Sequence, residues 1–322
     1  MRYLGQRLVH ALFLLFGVSL LSFLFTELAP GDYLAEMRLN PQISPETLAG
    51  LRSQYGLDRP LPVRYVYWAK SVLQGECGFS FAYNTPVAPL LWARARNTLL
   101  LTALATLVAW MLAVPLGVWS AGRPGQFADR ACTAGATLLL ALPDIVLALV
   151  FLLLAVRTGL FPAGGMFSVN SGVMNWWRQI LDLAHHLVLP LTMLVLGSLP
   201  TLVRHVRASM IEVLQSPFIQ AARSHGIPRQ RLLFMHAFPA ALNPLIGLFG
   251  FSIAGLLSGS LLVEVVMSWP GLGPLLLEAI LARDIYVVIG AVIFSTTFLV
   301  AGMIISDVLL FASDPRIRRQ AT

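Results

Sequence analysis

Residues 220–239 read QAARSHGIPRQRLLFMHAFP, a short basic stretch with long apolar segments on either side. Just before it, Ser216 and Pro217 are typical of a helix start, because serine caps helices and proline suits the first helical position. Gly226 can end this helix in a left-handed turn, and Pro228 can then begin a second short helix. The first helix would have about nine residues, which is too short to be stable alone in water. We therefore expect a helix–glycine–helix element that docks on another surface.

The rest of the chain has the composition of a membrane protein. Of its 322 residues, 57% are hydrophobic and only 11% are charged, whereas a soluble domain has about 25% charged residues. A transmembrane helix needs about 20 apolar residues to cross about 30 Å of hydrocarbon. The sequence thus predicts an all-α integral membrane protein with six transmembrane helices, near residues 8–28, 97–119, 134–156, 187–206, 241–266 and 286–311.

The distribution of arginine predicts that both ends of the chain are cytoplasmic, because arginine and lysine accumulate in short cytoplasmic loops. With the N-terminus inside, most arginines fall on the inner side, at positions 2, 7, 123, 130, 204, 207, 223, 229, 231, 316, 318 and 319. The net charge of +7 then marks the inner membrane face. With no basic soluble domain, no nucleic acid partner is expected. The first apolar segment lacks a small-residue cleavage site, so we interpret it as an uncleaved helix.

The stretch 220–239 therefore lies on the inner face, where two interpretations are open. Ala221 and Ala222 are small and would let a partner surface approach closely. The alternative is an ordinary amphipathic connector that is basic only because it faces the cytoplasm.

The loop of residues 29–96 is expected to form a small helical cap on the outer face. Ser44-Pro45-Glu46 predicts a helix start, and Gly56 is a plausible end. An amphipathic segment, VRYVYWAKSVLQG at 63–75, predicts a second helix. The alternative for this loop is a flexible connector.

The sequence lacks the motifs of a nucleotide-binding or catalytic protein. It has no G-x-x-x-x-G-K-[ST] motif, and Lys70 is its only lysine. If transport is driven by ATP, the ATPase must be a separate chain. The histidines and the two cysteines, Cys77 and Cys132, show no metal-binding spacing. We expect no enzymatic activity, no cofactor and no metal site.

Two parts of the chain resemble the EAA loop of ABC importer permeases, namely QAARSHG and the HAFPAALNPLI that follows it. The family pattern is Glu-Ala-Ala, three residues and Gly, which Ala221, Ala222 and Gly226 match and Gln220 does not. Further segments are similar to the dipeptide, oligopeptide and nickel branch of these permeases: APGD at 29–32, LRSQYGLDRPLPVRYVYW at 51–68, RHVRASMIEVL at 204–214, VEVVMSWPGLG at 263–273 and DPRIR at 314–318. The chain departs from the branch at Glu76-Cys77-Gly78 and at RARNT, residues 94–98.

The resemblance implies a single permease domain over residues 1–322 with the type I ABC importer fold. It includes an extracytoplasmic helical loop at 29–96 and a cytoplasmic coupling loop at 208–239. The coupling loop would seat in a groove of the ATPase through Pro217, Gln220, Ala221, Ala222, Arg223, Gly226 and Pro228.

The same resemblance implies the partners and the location. The partners would be a second homologous permease, two ATP-binding subunits, an extracytoplasmic substrate-binding protein and the surrounding membrane lipid. The chain would reside in a bacterial inner membrane and translocate small peptides, a nickel chelate, glutathione or a related solute by alternating access. The sequence leaves the substrate open.

Two carboxylates inside the expected spans, Asp144 and Glu264, are candidates to line the translocation pathway. A carboxylate at the bilayer centre costs about 2.5–3.5 kcal/mol and therefore faces the bundle interior or a cation. The alternative for each is a hydrogen bond that packs two helices together.

Two other classes of protein remain as alternatives. An ion-gradient-driven secondary transporter would show internal repeats, and none is evident. A membrane-embedded enzyme would need a catalytic constellation, which the sequence does not show.

Overall fold

The computed structural model describes residues 2–28, 44–54 and 58–313. The expected helix end at Gly56 and the segments APGD and DPRIR therefore lie outside the described residues. The helices are α1 (Arg2–Leu28), α2 (Pro45–Gln54), α3 (Leu61–Leu73), α4 (Val87–Gly122), α5 (Phe127–Leu140), α6 (Asp144–Thr158), α7 (Trp176–Leu214), α8 (Pro217–Ser224), α9 (Arg229–Arg231), α10 (Phe238–Val266), α11 (Leu272–Leu281) and α12 (Ile285–Ser313). A hairpin of β1 (Phe79–Ser80) and β2 (Thr85–Pro86), a 3₁₀ turn (Ser171–Val173) and a π-helical turn (Leu232–Ala237) complete the described elements.

Five of the described helical segments are long and apolar enough to cross a membrane: Gly5–Thr26, Val87–Gly122, Trp176–Leu214, Arg229–Val266 and Ile285–Ser313. Four of the six predicted spans fall within them, and a fifth, 8–28, overlaps Gly5–Thr26 over most of its length. Prolines inside these helices, such as Pro115 and Pro200, do not stop them, because neighbouring groups in a membrane bundle satisfy the freed backbone atoms.

The third predicted span, 134–156, differs from the expectation of one continuous helix. It is divided between α5 and α6, which are bent by 92° relative to each other. Proline disfavours helical conformation in the residue before it and cannot donate a backbone hydrogen bond. Pro143 stands at the N-cap of α6 with extended backbone angles and thereby separates the two helices. Among the residues that the structure describes, the count is six spans when this bent pair is taken as one.

The described residues form two compact units. We call them the core unit, which holds residues 99–269 and 301–313, and the hairpin unit, which holds residues 3–28, 44–54, 58–98 and 270–300.

In the core unit, α4 presents a row of small buried residues to its neighbours. Ala105, Ala109 and Ala113 are fully buried, at a spacing of four that places them on one helix face. They belong to an apolar cluster with Met193 and Leu202 of α7. Small side chains at such a face let membrane helices approach closely, where packing holds them together.

In the hairpin unit, aromatic residues from two helices pack together. Phe23 of α1 and Trp68 of α3 form a buried cluster with Ile289 of α12. The hydroxyls of Ser19 and Tyr65 lie 2.8 Å apart and join α1 to α3. These contacts place α3 firmly beside α1.

The helices predicted inside 29–96 are confirmed at α2 and α3. The amide of Thr47 donates to the hydroxyl of Ser44 at 3.1 Å, so Ser44 caps α2 as expected. The segment 63–75 forms most of α3.

The hairpin is attached through Asp284, which is fully buried at the start of α12. One oxygen of this carboxylate accepts hydrogen bonds from the Ser80 hydroxyl at 2.6 Å and the Ala82 amide at 3.1 Å. The Tyr83 hydroxyl donates to Glu278 of α11. Side-chain hydrogen bonds thus hold a hairpin whose strands have only two residues each.

Candidate functional site

The helix–glycine–helix element expected at 217–236 is present, and in the structure it extends over 217–237. Pro217 is the first residue of α8, and Gly226 has φ = +77°, the left-handed conformation predicted for it. Pro228 precedes α9, and the π-helical turn then leads into α10.

The prediction that the Ser216 side chain caps α8 is wrong. Ser216 occupies the N-cap position with extended backbone angles, but its hydroxyl makes no capping bond. It donates instead to the Val213 carbonyl at 2.5 Å, at the end of α7. The hydroxyl therefore closes the turn between the two helices.

One face of α8 attaches to the core unit. Ile219 is fully buried in an apolar cluster with Val206 and Met210 of α7. Ala222 is half-buried and packs against the same cluster. Residues three apart on a helix share a face, so Ile219 and Ala222 together anchor α8 to α7.

Several other side chains of α8 are exposed, and together they form what we call its open face. Gln220, Ala221 and Arg223 are exposed, and Phe218 exposes 51% of its surface. The two alanines that the sequence suggested as one contact surface thus face different ways, because successive helical residues point about 100° apart. Phe218, whose side chain is exposed, was not singled out from the sequence. The pattern Phe218-Ile219 could have revealed it, since two adjacent bulky residues on a short helix cannot both face the same neighbour.

A cleft beside α8 is basic. Its volume is about 590 Å³, and its walls include Arg223 and Arg229 together with apolar residues such as Ile211 and Leu233. The guanidinium groups of this cleft suit carboxylates, which arginine binds with its forked donors.

A second cavity of about 320 Å³ lies between α6, α7 and α10 of the core unit. Asp144, the first residue of α6, lines it. Its carboxylate oxygen Oδ1 would lie 3.4 Å from a Cβ placed on Gly197 of α7. Among the described residues that line this cavity, Asp144 is the only charged one; small or hydroxyl-bearing residues include Gly197, Ser198, Thr201, Ser252, Gly255 and Gly259.

The other candidate carboxylate, Glu264, lies beside this cavity without lining it. It is fully buried in α10, next in sequence to Val263, which does line the cavity. Its main-chain carbonyl accepts a hydrogen bond from the amide of Trp269 at 2.8 Å. The structure therefore exposes the Asp144 carboxylate to the cavity and keeps Glu264 within the helix packing.

Within the part of the chain that the structure describes, no group of three or more histidine, cysteine, aspartate or glutamate residues is placed to hold a metal ion. Cys77 and Cys132 are free thiols.

Comparison with known protein families places the chain among transport proteins. Residues 113–319 match the family described as binding-protein-dependent transport system inner membrane component. Residues 1–102 match the N-terminal part described for such membrane components. The chain therefore belongs to this family, the permeases of ABC importers, and is a multi-pass inner-membrane protein.

Several relatives match along almost the full length. The chain is 36% identical to the oligopeptide transport system permease protein AppB of Bacillus subtilis (strain 168), over 98% of both chains. It is 32% identical to the oligopeptide transport system permease protein OppB of Mycobacterium tuberculosis (strain ATCC 25618 / H37Rv), over 98% of this chain and 99% of the relative. It is 31% identical to the dipeptide transport system permease protein DppB of Escherichia coli (strain K12), over 94% and 95%.

A solved structure supports the same fold. An inward-facing form of the MetNI methionine ABC transporter matches 72% of this chain and 96% of its own, with a TM-score of 0.50 and 22% identity. The predicted fold class, a type I ABC importer permease, is thus confirmed. The chain is a permease subunit and not itself an enzyme, and these matches give no support to an ion-gradient-driven transporter.

Proposed function

We propose that this chain is the permease subunit of an ATP-driven peptide importer. The observation that carries the proposal is the element at 217–237, whose helix α8 is anchored inward by Ile219 and presents Phe218 outward. Such an element needs a partner, because an exposed phenylalanine on a short helix gains from burial. The relatives named above are oligopeptide or dipeptide permeases, which supports peptides as the substrate class.

The proposed assembly contains a second homologous permease, two ATP-binding subunits and an extracytoplasmic substrate-binding protein, in membrane lipid. Both chain ends and the coupling loop 208–239 face the cytoplasm, where the ATPases bind. The loop 29–96 faces outward, where the binding protein docks. Residues 1–322 then act as one permease domain.

Each residue of the coupling element has a proposed role. Phe218, Gln220 and Ala221 contact the ATPase, since they form the open face of α8. Arg223 lines the basic cleft, where it can bind a carboxylate of the ATPase.

The other members of the element set its geometry. Pro217 begins α8, and Gly226 and Pro228 redirect the chain between the two short helices. Ala222 packs inward and keeps α8 on α7, so that a pull on α8 moves the core unit.

Asp144 is proposed to line the translocation pathway. A break in a membrane-spanning helix is typical of transporter binding sites, and Asp144 begins the second half of the broken span. Its carboxylate faces a cavity without another charged lining residue among those described, so it favours solutes with a positive group, such as the α-ammonium of a peptide. Glu264 is proposed to support the pathway wall from within α10.

The coupling proposal is tested by placing a charge on the open face of α8. Phe218→Asp and Ala221→Glu should abolish co-purification of the ATPase subunits while the chain still accumulates in the membrane. Phe167→Asp is a matched control, because Phe167 is exposed in the loop after α6 and far from α8 in sequence. Undiminished co-purification with both α8 variants would contradict the proposed contact.

The pathway proposal has its own test. Asp144→Asn should lower peptide uptake at least tenfold, equivalent to about 1.4 kcal/mol, and leave ATPase binding intact. Arg178→Gln is the control, because Arg178 is an exposed charged residue in the first turn of α7, away from the cavity lining. If uptake by Asp144→Asn equals that of the control, Asp144 does not act in the pathway.

A further inference from the structure

A partly buried ion pair joins two helices of the core unit, between residues that are far apart in sequence. The Arg207 side chain on α7 donates from Nε to Asp129 Oδ1 at 2.6 Å and from Nη2 to Asp129 Oδ2 at 2.9 Å. Asp129 lies in the first turn of α5 and is 4% exposed. This two-bond arrangement fixes both the distance and the relative orientation of the two side chains.

Two further donors hold the same carboxylate in place. The hydroxyl of Ser120, near the end of α4, donates to Asp129 Oδ1 at 2.5 Å, and the main-chain amide of Gly125 donates to Oδ2 at 2.8 Å. Four hydrogen bonds from three parts of the chain therefore meet at Asp129. Because each oxygen has two partners, the carboxylate cannot rotate without losing several of them.

The position of Arg207 connects this pair to the coupling element. Its neighbour Val206 is fully buried in the cluster that contains Ile219 of α8. From Arg207, α7 continues to Leu214, where it ends and the turn into α8 begins. These seven residues span about 10 Å of helix.

The position of Asp129 connects the pair to the cavity. Asp129 lies in the first turn of α5, and α5 leads through the 92° bend to α6. The first residue of α6 is Asp144, which lines the cavity. The ion pair thus stands between the helix that carries the coupling element and the broken span that borders the cavity.

We propose that the Asp129–Arg207 pair is the connection through which movement of the coupling helix α8 reaches α5, α6 and the Asp144 cavity. The inference rests on the proposed function, since it assumes that the ATPases move α8. Apolar contacts in the cluster around Ile219 let helices slide, whereas the forked guanidinium–carboxylate contact keeps α5 at a fixed angle to α7. Both residues are positioning residues.

The chemistry of the pair decides which variants are informative. Removing one partner leaves a buried charge without compensation, which destabilises a protein strongly, whereas replacing both partners can be neutral. The main variant is therefore the double replacement Asp129→Asn with Arg207→Gln. Arg207→Lys keeps the charge and loses the fork. Arg204→Gln is the matched control, because Arg204 is an exposed arginine one turn earlier on α7.

The experiment uses the chain assembled with its ATPases in lipid nanodiscs. Cys132 on α5 is partly exposed and lies one turn after Asp129, so a fluorescent label there reports movement of α5. Cys77→Ser leaves Cys132 as the only thiol of this chain. We expect ATP to change the label signal in the otherwise unaltered complex and in Arg204→Gln. The change should fall at least fivefold in the double variant and at least twofold in Arg207→Lys, with ATPase co-purification and basal hydrolysis within twofold.

The possible results separate this inference from the proposed function. If no ATPase co-purifies with the unaltered chain, the proposed function fails, and this inference fails with it. If the ATPase binds and hydrolyses ATP but the label on α5 does not respond, only the inference is overturned. An undiminished signal in the double variant also overturns it. If the double variant does not accumulate, Arg207→Lys decides, and a signal equal to that of Arg204→Gln refutes the inference.

Discussion

Replacing Gly226 by a residue with a side chain is expected to weaken ATPase binding without disturbing the membrane helices. A Cβ at this position would find no other atom within 4 Å, so the replacement meets no steric contact. The cost comes from the backbone, because φ = +77° costs an L-residue about 1–2 kcal/mol. The free variant can relieve this strain by turning α9 to another direction. Binding of the ATPase then requires the strained backbone again, and the strain energy is lost from the binding free energy. A penalty of 1–2 kcal/mol corresponds to a factor of about 5–30.

We therefore expect Gly226→Ala to raise the Kd for the ATPase subunit about 5–30-fold, measured by titration of the chain in nanodiscs. Gly226→Val should raise it further, because β-branched residues suit this region least. Gly226→Asn should raise it least, since asparagine tolerates the left-handed region. Gly172→Ala serves as the control: Gly172 has equally open surroundings and no positive φ. Equal Kd values for Gly226→Ala, Gly226→Val and the control would refute the reasoning.

Three other predictions follow from the structure. With the proposed orientation, a membrane-impermeant maleimide should label Cys77 and not Cys132 in spheroplasts; at pH 7 Cys77 should react more slowly than free cysteine, because burial raises the pKa of its thiol and lowers the thiolate fraction. Labelling of Cys132 alone would reverse the orientation. Burial and the Glu278 hydrogen bond raise the pKa of Tyr83 from 10.0 to about 12, so its stabilising contribution is complete below pH 10 and lost as the pH rises through 12. Tyr83 should form tyrosinate near pH 12, so Tyr83→Phe should remove the tyrosinate absorbance that appears near that pH. If Tyr83→Phe instead removes absorbance that appears near pH 10, the contact between Tyr83 and Glu278 is absent. Gly117→Ala should lower the thermal stability of the purified chain by about 1–3 kcal/mol, because its Cβ would lie 2.6 Å from Val206; an unchanged melting temperature would contradict this close packing.

The sequence predicted the membrane class and most spans because hydrophobicity along a helix is a local property. The turn at Gly226 was also predictable, since a glycine after a short helix and before a proline indicates a left-handed ending. The cap at Ser44 was predicted correctly, whereas the cap at Ser216 was not. Both serines stand before a proline; at Ser216 the hydroxyl is taken by the Val213 carbonyl at the end of α7 instead of capping α8.

The sequence by itself thus determined the helical membrane class, the resemblance to ABC importer permeases and the position of the helix–glycine–helix element. The tertiary structure alone decided which residues meet. Asp129 and Arg207 are 78 positions apart, and the cavity at Asp144 exists only where α6, α7 and α10 pack around it. It also decided that Ala222 faces inward and Phe218 outward. The physical reason is that periodicity and caps act within one helix, whereas contacts between distant residues depend on how the helices pack against one another.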